Sequence, residues 1–359
     1  MQTALGFFAP WIIQGLVLAL HVALPARKVA GYVTDSDGSP LRYRLNGLLV
    51  LLTAVLGWWC CGAANLVPYD FLYHTRWEGL AGAVALGLGI TVWLVYPAQP
   101  TGKGSIADYY YGRLSNPQWL GGRVDAKMLL YLVGAVLLEL NLLSFGAFHR
   151  AQYPESPSVG VTVYIVLFTW FVVDYLTFER VHLWTYDFFA ENVGFKLGWG
   201  CICFYPYFYV VSLWATADLA DPEQSTLYYL FSGLVFGLGW LCSRGANLQK
   251  FTFKTEPSRV FWGVIRPKTI SDGSRSLLVS GFWGAARHVN YFGELLMAIG
   301  LALSLGHPYV WWVWLYPLYY VVLLFPRERD DDRRCAQKYG ALWEEYRARV
   351  PYRIIPGIY

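Results

Sequence analysis

Arg287, His288, Asn290 and Tyr291 crowd one short stretch, four residues after Trp283. A second polar cluster runs from Arg327 to Tyr346 and holds Asp331 and Tyr339, with Tyr352 and Arg353 beyond it. Lys250 and Lys254 precede both. A guanidinium meets phosphate through paired N–H donors, whereas an ammonium acts as a mobile point charge. Trp283 and Tyr291 offer flat faces for a ring, and Asn290 offers an amide to read an amide or a ribose. Such a set suits a nucleotide. The competing reading is that these cations only hold anionic lipid headgroups and set topology, as they do beside most membrane spans.

The elements around these clusters are apolar. Leu295 to Phe325 is a run of 31 residues without Asp, Glu, Lys or Arg. A hydrocarbon core about 30 Å thick needs roughly 20 apolar residues per helix. The run is too long for one span, and Gly306-His307-Pro308 breaks it near its middle. It reads as a helical hairpin that puts both polar clusters at one membrane face. The whole chain is 56% hydrophobic and 14% charged, against about 25% charged in soluble domains. That composition predicts an all-α polytopic membrane protein. Further spans are expected over 4–24, 47–64, 79–96, 128–148, 159–173, 199–215 and 226–242. This makes nine, or ten if the aromatic 180–198 stretch inserts. The 243–276 loop carries Arg244, Lys250, Lys254, Arg259, Arg266, Lys268 and Arg275 against Glu256 and Asp272, which places it in the cytoplasm. The net charge is only +4, and nothing in its pattern points to nucleic acid. Cys201 and Cys203 lack partners at zinc-ligand spacing, so no metal is expected.

Arg287-His288-x-Asn290-Tyr291-x-Gly293-Glu294 resembles a signature of the sterol reductase family, which includes Δ14-sterol reductases, 7-dehydrocholesterol reductase and the membrane domain of the lamin B receptor. The run from Arg327-Glu328 through Cys335, Lys338-Tyr339-Gly340, Trp343 and Tyr346 is similar to a second signature, and Val350 to Tyr359 matches the family's usual ending. Asp108-Tyr109-Tyr110-Tyr111-Gly112-Arg113 with Asn116-Pro117 resembles another, and Asn247-x-Gln249-Lys250 a further segment. Val289 stands where the family has Pro, and Asp330-Asp331-Asp332 where it has Arg-Asp.

The resemblance implies NADPH-dependent saturation of an endocyclic double bond in a sterol, the 14,15 bond rather than the 7,8 bond. No Gly-x-Gly-x-x-Gly follows a predicted strand, so helix ends and loops must bind the dinucleotide. The implied cofactor residues are Lys250, Lys254, Arg287 and Arg327 on phosphates, Trp283 and His288 as stacking partners, and Tyr291. Asn290 and Asp331 would be polar readers, with Tyr339, Tyr352 and Arg353 along the path to the nicotinamide. Proton-donor candidates are Tyr346, then Tyr209 and the carboxyls Asp174, Glu179 and Glu191, since ionisable groups near a membrane interior are functional by default. Tyr339 and Tyr346, seven residues apart, are expected on one helix face.

The expected organisation is a single integral membrane domain over 1–359, with N-terminal helices in 1–150 and a sterol- and NADPH-binding part in 174–359. The membrane is the bacterial inner membrane or the endoplasmic reticulum, with the cofactor site on its cytoplasmic side. Isoprenylcysteine carboxyl methyltransferases share a similar Arg-His-x-x-Tyr pattern and are the alternative, but they are shorter and lack the 108–117 signature.

Overall fold

A computed structural model describes residues 2–35 and 37–359, apart from the side chain of Gln2. The chain gathers into two compact units that meet in sequence at Asp221 and Pro222.

The first unit contains α1 (Gln2–Ala23), α2 (Gly47–Ala63), α3 (Arg76–Val95), α4 (Ala126–Gln152) and α5 (Val159–Thr177). α4 is its hub. In its most apolar window 83% of residues are buried, as expected of a helix apolar on every side. Asp125 caps it by accepting from the N–H groups of Lys127 and Met128, each at 3.1 Å. Inside the hub, Glu139 accepts from Thr169 Oγ1 at 2.8 Å and Asn141 donates to the Pro206 carbonyl at 2.9 Å. Asn141 and Glu139 Oε1 are thus partnered despite their burial, whereas Glu139 Oε2 has no partner among the described residues.

The helices are joined by more β-structure than an all-α reading allows. Arg27–Thr34 pairs antiparallel with Pro40–Leu45, and Lys28 lies opposite Arg44. Val29 and Tyr43 turn to the core against Met128, Leu183 and Phe188. This alternation stabilises the hairpin, because one face is apolar and buried. Two smaller hairpins sit at 118–125 and 269–278.

Among the described residues, five helices are long and apolar enough to cross a membrane: Thr3–Ala23, Arg76–Val95, Ala126–Gln152, Val159–Thr177 and Thr226–Thr255. Gly47–Ala63 and Val289–Ser304 are apolar but shorter. The chain is mostly helical and belongs in a membrane. The stretch expected to span at 199–215 is helical in pieces, with a π-turn over Gly200–Phe204 just before Pro206. Proline has no N–H to give, so the register adjusts there. The 180–198 stretch forms short helices at Glu179–His182, Tyr186–Phe189 and Phe195–Trp199 rather than one span.

The 108–117 signature is a staple. Buried Asp108 pairs with Arg113 at 2.8 Å and also binds Thr101. Gly112 has φ +92, and a Cβ there would lie 2.3 Å from the Val193 carbonyl carbon. Asn116 donates to the Phe188 carbonyl at 3.2 Å. From the other side, the buried Lys127 ammonium donates to the carbonyls of Asp187, Phe188 and Glu191 at 2.8, 3.0 and 2.6 Å. The 187–194 segment is thus held by main-chain contacts on both flanks.

The second unit contains α6 (Thr226–Thr255), α7 (Val289–Ser304), α8 (Leu315–Tyr339) and α9 (Ala341–Arg349). α6 and α7 touch through their backbones. A Cβ at Gly293 would lie 2.4 Å from Ser243 N and 2.5 Å from Gly239 O. Beside this seam Ser243 donates to Glu294 at 2.6 Å. The expected break after α7 is present, with Gly306 at φ +76. α8 runs unbroken from its apolar half through Pro326 into the second polar cluster. Gly340, at φ +55, ends it and starts α9. Tyr339 and Tyr346 therefore lie on two helices, and the expectation of one shared face is corrected. Trp343 links them instead, its ring centroid 6.3 Å from that of Tyr339 and 5.0 Å from that of Tyr346.

Candidate cofactor site

Three pieces of chain hold Arg287 and His288 in place. Their N–H groups donate to the carbonyls of Tyr352 and Arg353 at 2.9 and 2.8 Å, so the C-terminal segment lies along the entry to α7. That segment closes on itself, because the Tyr359 carbonyl accepts from the N–H groups of Arg353, Ile354 and Ile355. The Tyr359 ring stacks on Phe325 of α8 at 5.3 Å. Buried Glu328 pairs with Arg353 at 3.1 Å, joining α8 to the same segment.

Trp283 forms one wall. Its indole N–H donates to the Ala246 carbonyl at 2.8 Å, and Lys250 Nζ lies 5.0 Å from its ring centroid. Its own carbonyl accepts from Tyr346 Oη at 3.0 Å. Gln249 secures the turn before it, donating to the Ser280 carbonyl and accepting from the Phe282 N–H, each at 3.0 Å. Tyr346 is buried with Ile270, Leu342, Trp343 and Val350. That burial raises its phenol above the usual range, against the opposing pull of Arg287, so it stays protonated.

The Arg287 guanidinium reaches the Val350 carbonyl at 3.4 Å and stands 3.9 Å from Asp332, which also accepts from the Trp343 indole at 3.1 Å. Burial lowers the Arg287 pKa, with Asp332 acting in the opposite direction. His288 stacks on Tyr291 at 5.0 Å. Burial first, then Lys250 and Arg287, pushes its pKa down to about 3, so its imidazole is neutral. Its Nδ1 lies 3.9 Å from Asp331, too far for a hydrogen bond. Burial raises the Asp331 carboxyl, and Lys250 and Arg327 oppose that shift.

Three buried atoms at this place, Arg287 Nε, His288 Nε2 and Asn290 Oδ1, have no hydrogen-bond partner among the described residues. Leaving such groups unpaired is costly. Orphan donors and acceptors beside Lys250 and Arg327 are what a polyanionic ligand with ring edges would satisfy. The donor set fits a dinucleotide.

The structure thus brings Lys250, Trp283, Arg287, His288, Asn290, Tyr291, Arg327, Asp331, Tyr346 and Arg353 into one unit. Lys254 lies one turn beyond Lys250 on α6, and Tyr339 closes α8. Tyr352 contributes its carbonyl. Gln249, Glu328, Asp332 and Trp343 were not expected to have roles here. Each lies inside a recognised signature, but Glu328 and Asp332 sit in the charged run 327–334, where no local signal sets them apart from their neighbours.

Asp174, Glu179, Glu191 and Tyr209 belong to the first unit, on different elements. Asp174 is buried on α5. Glu179 accepts from the Gly47 N–H at 3.0 Å at the start of α2, and burial pushes its pKa up to about 7. Glu191 pairs with Lys196 at 2.6 Å. The Tyr209 carbonyl accepts from Tyr164 Oη at 3.3 Å.

A family model described as the ergosterol biosynthesis ERG4/ERG24 family matches residues 2–359. The chain belongs to this family. The Delta(14)-sterol reductase of Arabidopsis thaliana is 33% identical over 356 residues, covering 94% of this chain and 91% of the relative. Delta(14)-sterol reductase TM7SF2 of Mus musculus is 34% identical, covering 98% and 86%. The Delta(14)-sterol reductase of Methylotuvimicrobium alcaliphilum is 32% identical, covering 99% and 83%. The ERG4/ERG24 match runs through both units, so every signature described above lies inside it.

Proposed function

We propose that this chain is an integral membrane oxidoreductase that saturates the 14,15 double bond of a sterol using NADPH. The observation that carries the cofactor half is the buried group of Arg287 Nε, His288 Nε2 and Asn290 Oδ1 beside Lys250 and Arg327. The relatives' names carry the substrate half. The whole chain would act as one membrane-embedded enzyme, with the second unit holding the cofactor on the cytoplasmic side.

An isolated alkene does not accept hydride, because nothing stabilises the resulting carbanion. It must first take a proton. Protonation at C15 leaves a tertiary cation at C14, which hydride then quenches, so the sum is the addition of two hydrogens. A bound reduced nicotinamide supplies the hydride. Lys250, Lys254, Arg287 and Arg327 bind its phosphates, and the extra 2′-phosphate accounts for the choice of NADPH over NADH. Trp283 packs against a ring, held by the Ala246 carbonyl behind it and by Tyr346 below. Neutral His288 and Asn290 offer hydrogen bonds without adding charge. Tyr346 is the proposed proton holder. Donating the proton breaks its O–H and its bond to the Trp283 carbonyl, leaving a phenolate that the Arg287 charge favours and that a solvent proton restores before the next turnover. The buried apolar setting excludes water that would trap the cation.

The test is an assay of purified protein with NADPH or NADH and a panel of Δ14, Δ7 and Δ24 sterols, read by mass spectrometry. Reduction of the 14,15 bond with NADPH is expected. A product with that bond intact and the 7,8 bond saturated would move the chain to the other reductase class. Equal use of NADH would remove the 2′-phosphate assignment.

A further inference from the structure

The 256–268 segment turns an apolar tip outwards. Phe261 and Ile265 exchange main-chain hydrogen bonds at 2.9 Å and close a three-residue turn. Phe261 is buried, whereas Trp262 and Val264 at the tip are 52% and 78% exposed. Trp262 adopts φ +51, a conformation that bulky side chains avoid. The fold therefore holds a strained backbone to present an exposed indole. Arg259, Arg266 and Lys268 flank the tip and are exposed, with Glu256 as the acid that pairs with Arg259 at 3.1 Å.

The height of this tip along α6 follows from its contacts. α6 carries no Asp, Glu, Lys or Arg from Thr226 until Arg244. Those residues rise about 27 Å at 1.5 Å each, close to the thickness of a hydrocarbon core. The chain leaves α6 at Thr255, about 15 Å further on, but then comes back. Trp262 packs edge-on against Phe282 at 5.8 Å. The Phe282 ring in turn lies so close to Gly245 that a Cβ there would sit 2.4 Å from it. Trp262 is thus one aromatic ring away from Gly245, the residue just past the point where the charge-free part of α6 ends.

We propose that the 259–268 loop is an interfacial anchor, with Trp262 and Val264 seated among lipid headgroups and Arg259, Arg266 and Lys268 on their phosphates. An exposed indole beside an aliphatic side chain, rimmed by cations at the depth of a span's end, fits an anionic lipid surface. The loop also leads into the candidate site. Ser280 donates to the Arg266 carbonyl and accepts from the Lys268 N–H, each at 3.0 Å, three residues before Trp283.

The experiment places a spin label at Val264→Cys in full-length protein with Cys60, Cys61, Cys242 and Cys335 replaced. The protein is reconstituted in nanodiscs of phosphatidylcholine and phosphatidylglycerol. A label at Ser274→Cys, on the neighbouring hairpin turn, is the aqueous reference. The ratio of oxygen to nickel-chelate accessibility is expected to be several-fold higher at 264 than at 274, and to fall when Arg259 and Arg266 are changed to Glu. Equal ratios at 264 and 274 would overturn the proposal. So would spin–spin broadening at 264 that disappears on dilution with unlabelled protein, because a second copy would then cover the tip. Quenching of wild-type fluorescence by headgroup-proximal brominated lipid, compared with Trp262→Phe, provides an independent reading. No difference between these two proteins would count equally against the anchor.

Discussion

His288 shows how burial decides the chemistry of a residue. Its folded pKa of about 3 lies below the 6.5 of an unperturbed imidazole. A group depressed in this way contributes stability that is present above pH 6.5 and lost as the pH falls towards 3. Wild type should lose thermal stability faster than His288→Gln between pH 7 and pH 4.5. Affinity for NADH, which lacks the 2′-phosphate that itself titrates at about pH 6, should show no transition near pH 6.5, and isothermal titration across pH 5.5–8 would check this. Tyr346 is the second residue with a decisive test. If its phenol holds the transferred proton, Tyr346→Phe should reduce turnover on the order of 10²-fold or more, with NADPH affinity nearly unchanged. If the bond to the Trp283 carbonyl is its only role, affinity should fall instead and the rate should persist. Arg327→Ala should raise the apparent KM for NADPH and leave that for sterol alone, as steady-state kinetics would show.

Among the elements, the α6–α7 seam depends on glycine. Gly293→Ala would force a Cβ to within 2.4 Å of a backbone nitrogen. Overpacking of this kind destabilises by about 1–3 kcal/mol, to be read as a lower thermal midpoint. Gly233, also on α6, has nothing within 4 Å of an added Cβ. Gly233→Ala should stabilise by about 0.5–1 kcal/mol through helix propensity, so the pair separates packing from propensity. In the first unit Glu179 caps α2 across 132 residues of sequence. Its folded pKa of about 7 is above the 4.5 of an unperturbed glutamate. The stability it confers is full below pH 4.5 and lost as the pH rises through 7. Glu179→Gln should match wild type at low pH and melt higher at pH 8.

For the whole molecule, the amino-acid sequence determined the class and the inventory. Low charge, long uncharged runs and the break at Gly306-His307-Pro308 follow from local composition, and hydrophobic burial acts on composition directly. The terminal signatures by themselves mark the family to which the chain belongs. The hairpin at 27–45 escaped because Val29 and Tyr43, its core face, are too few to dominate a window. The shared face of Tyr339 and Tyr346 failed because one glycine at φ +55 outweighs a helical spacing. What only the tertiary structure decided is which polar atoms are partnered. Tyr346 meets Trp283, and Arg287 meets Val350, each across 63 residues of sequence. The clamp of Lys127 on the carbonyls of Asp187, Phe188 and Glu191 spans a similar distance. Such pairings depend on how helices dock, and docking is set by the sum of many apolar contacts rather than by the residues that hydrogen-bond. The same docking buries His288 and strips its charge, which no spacing along the chain encodes.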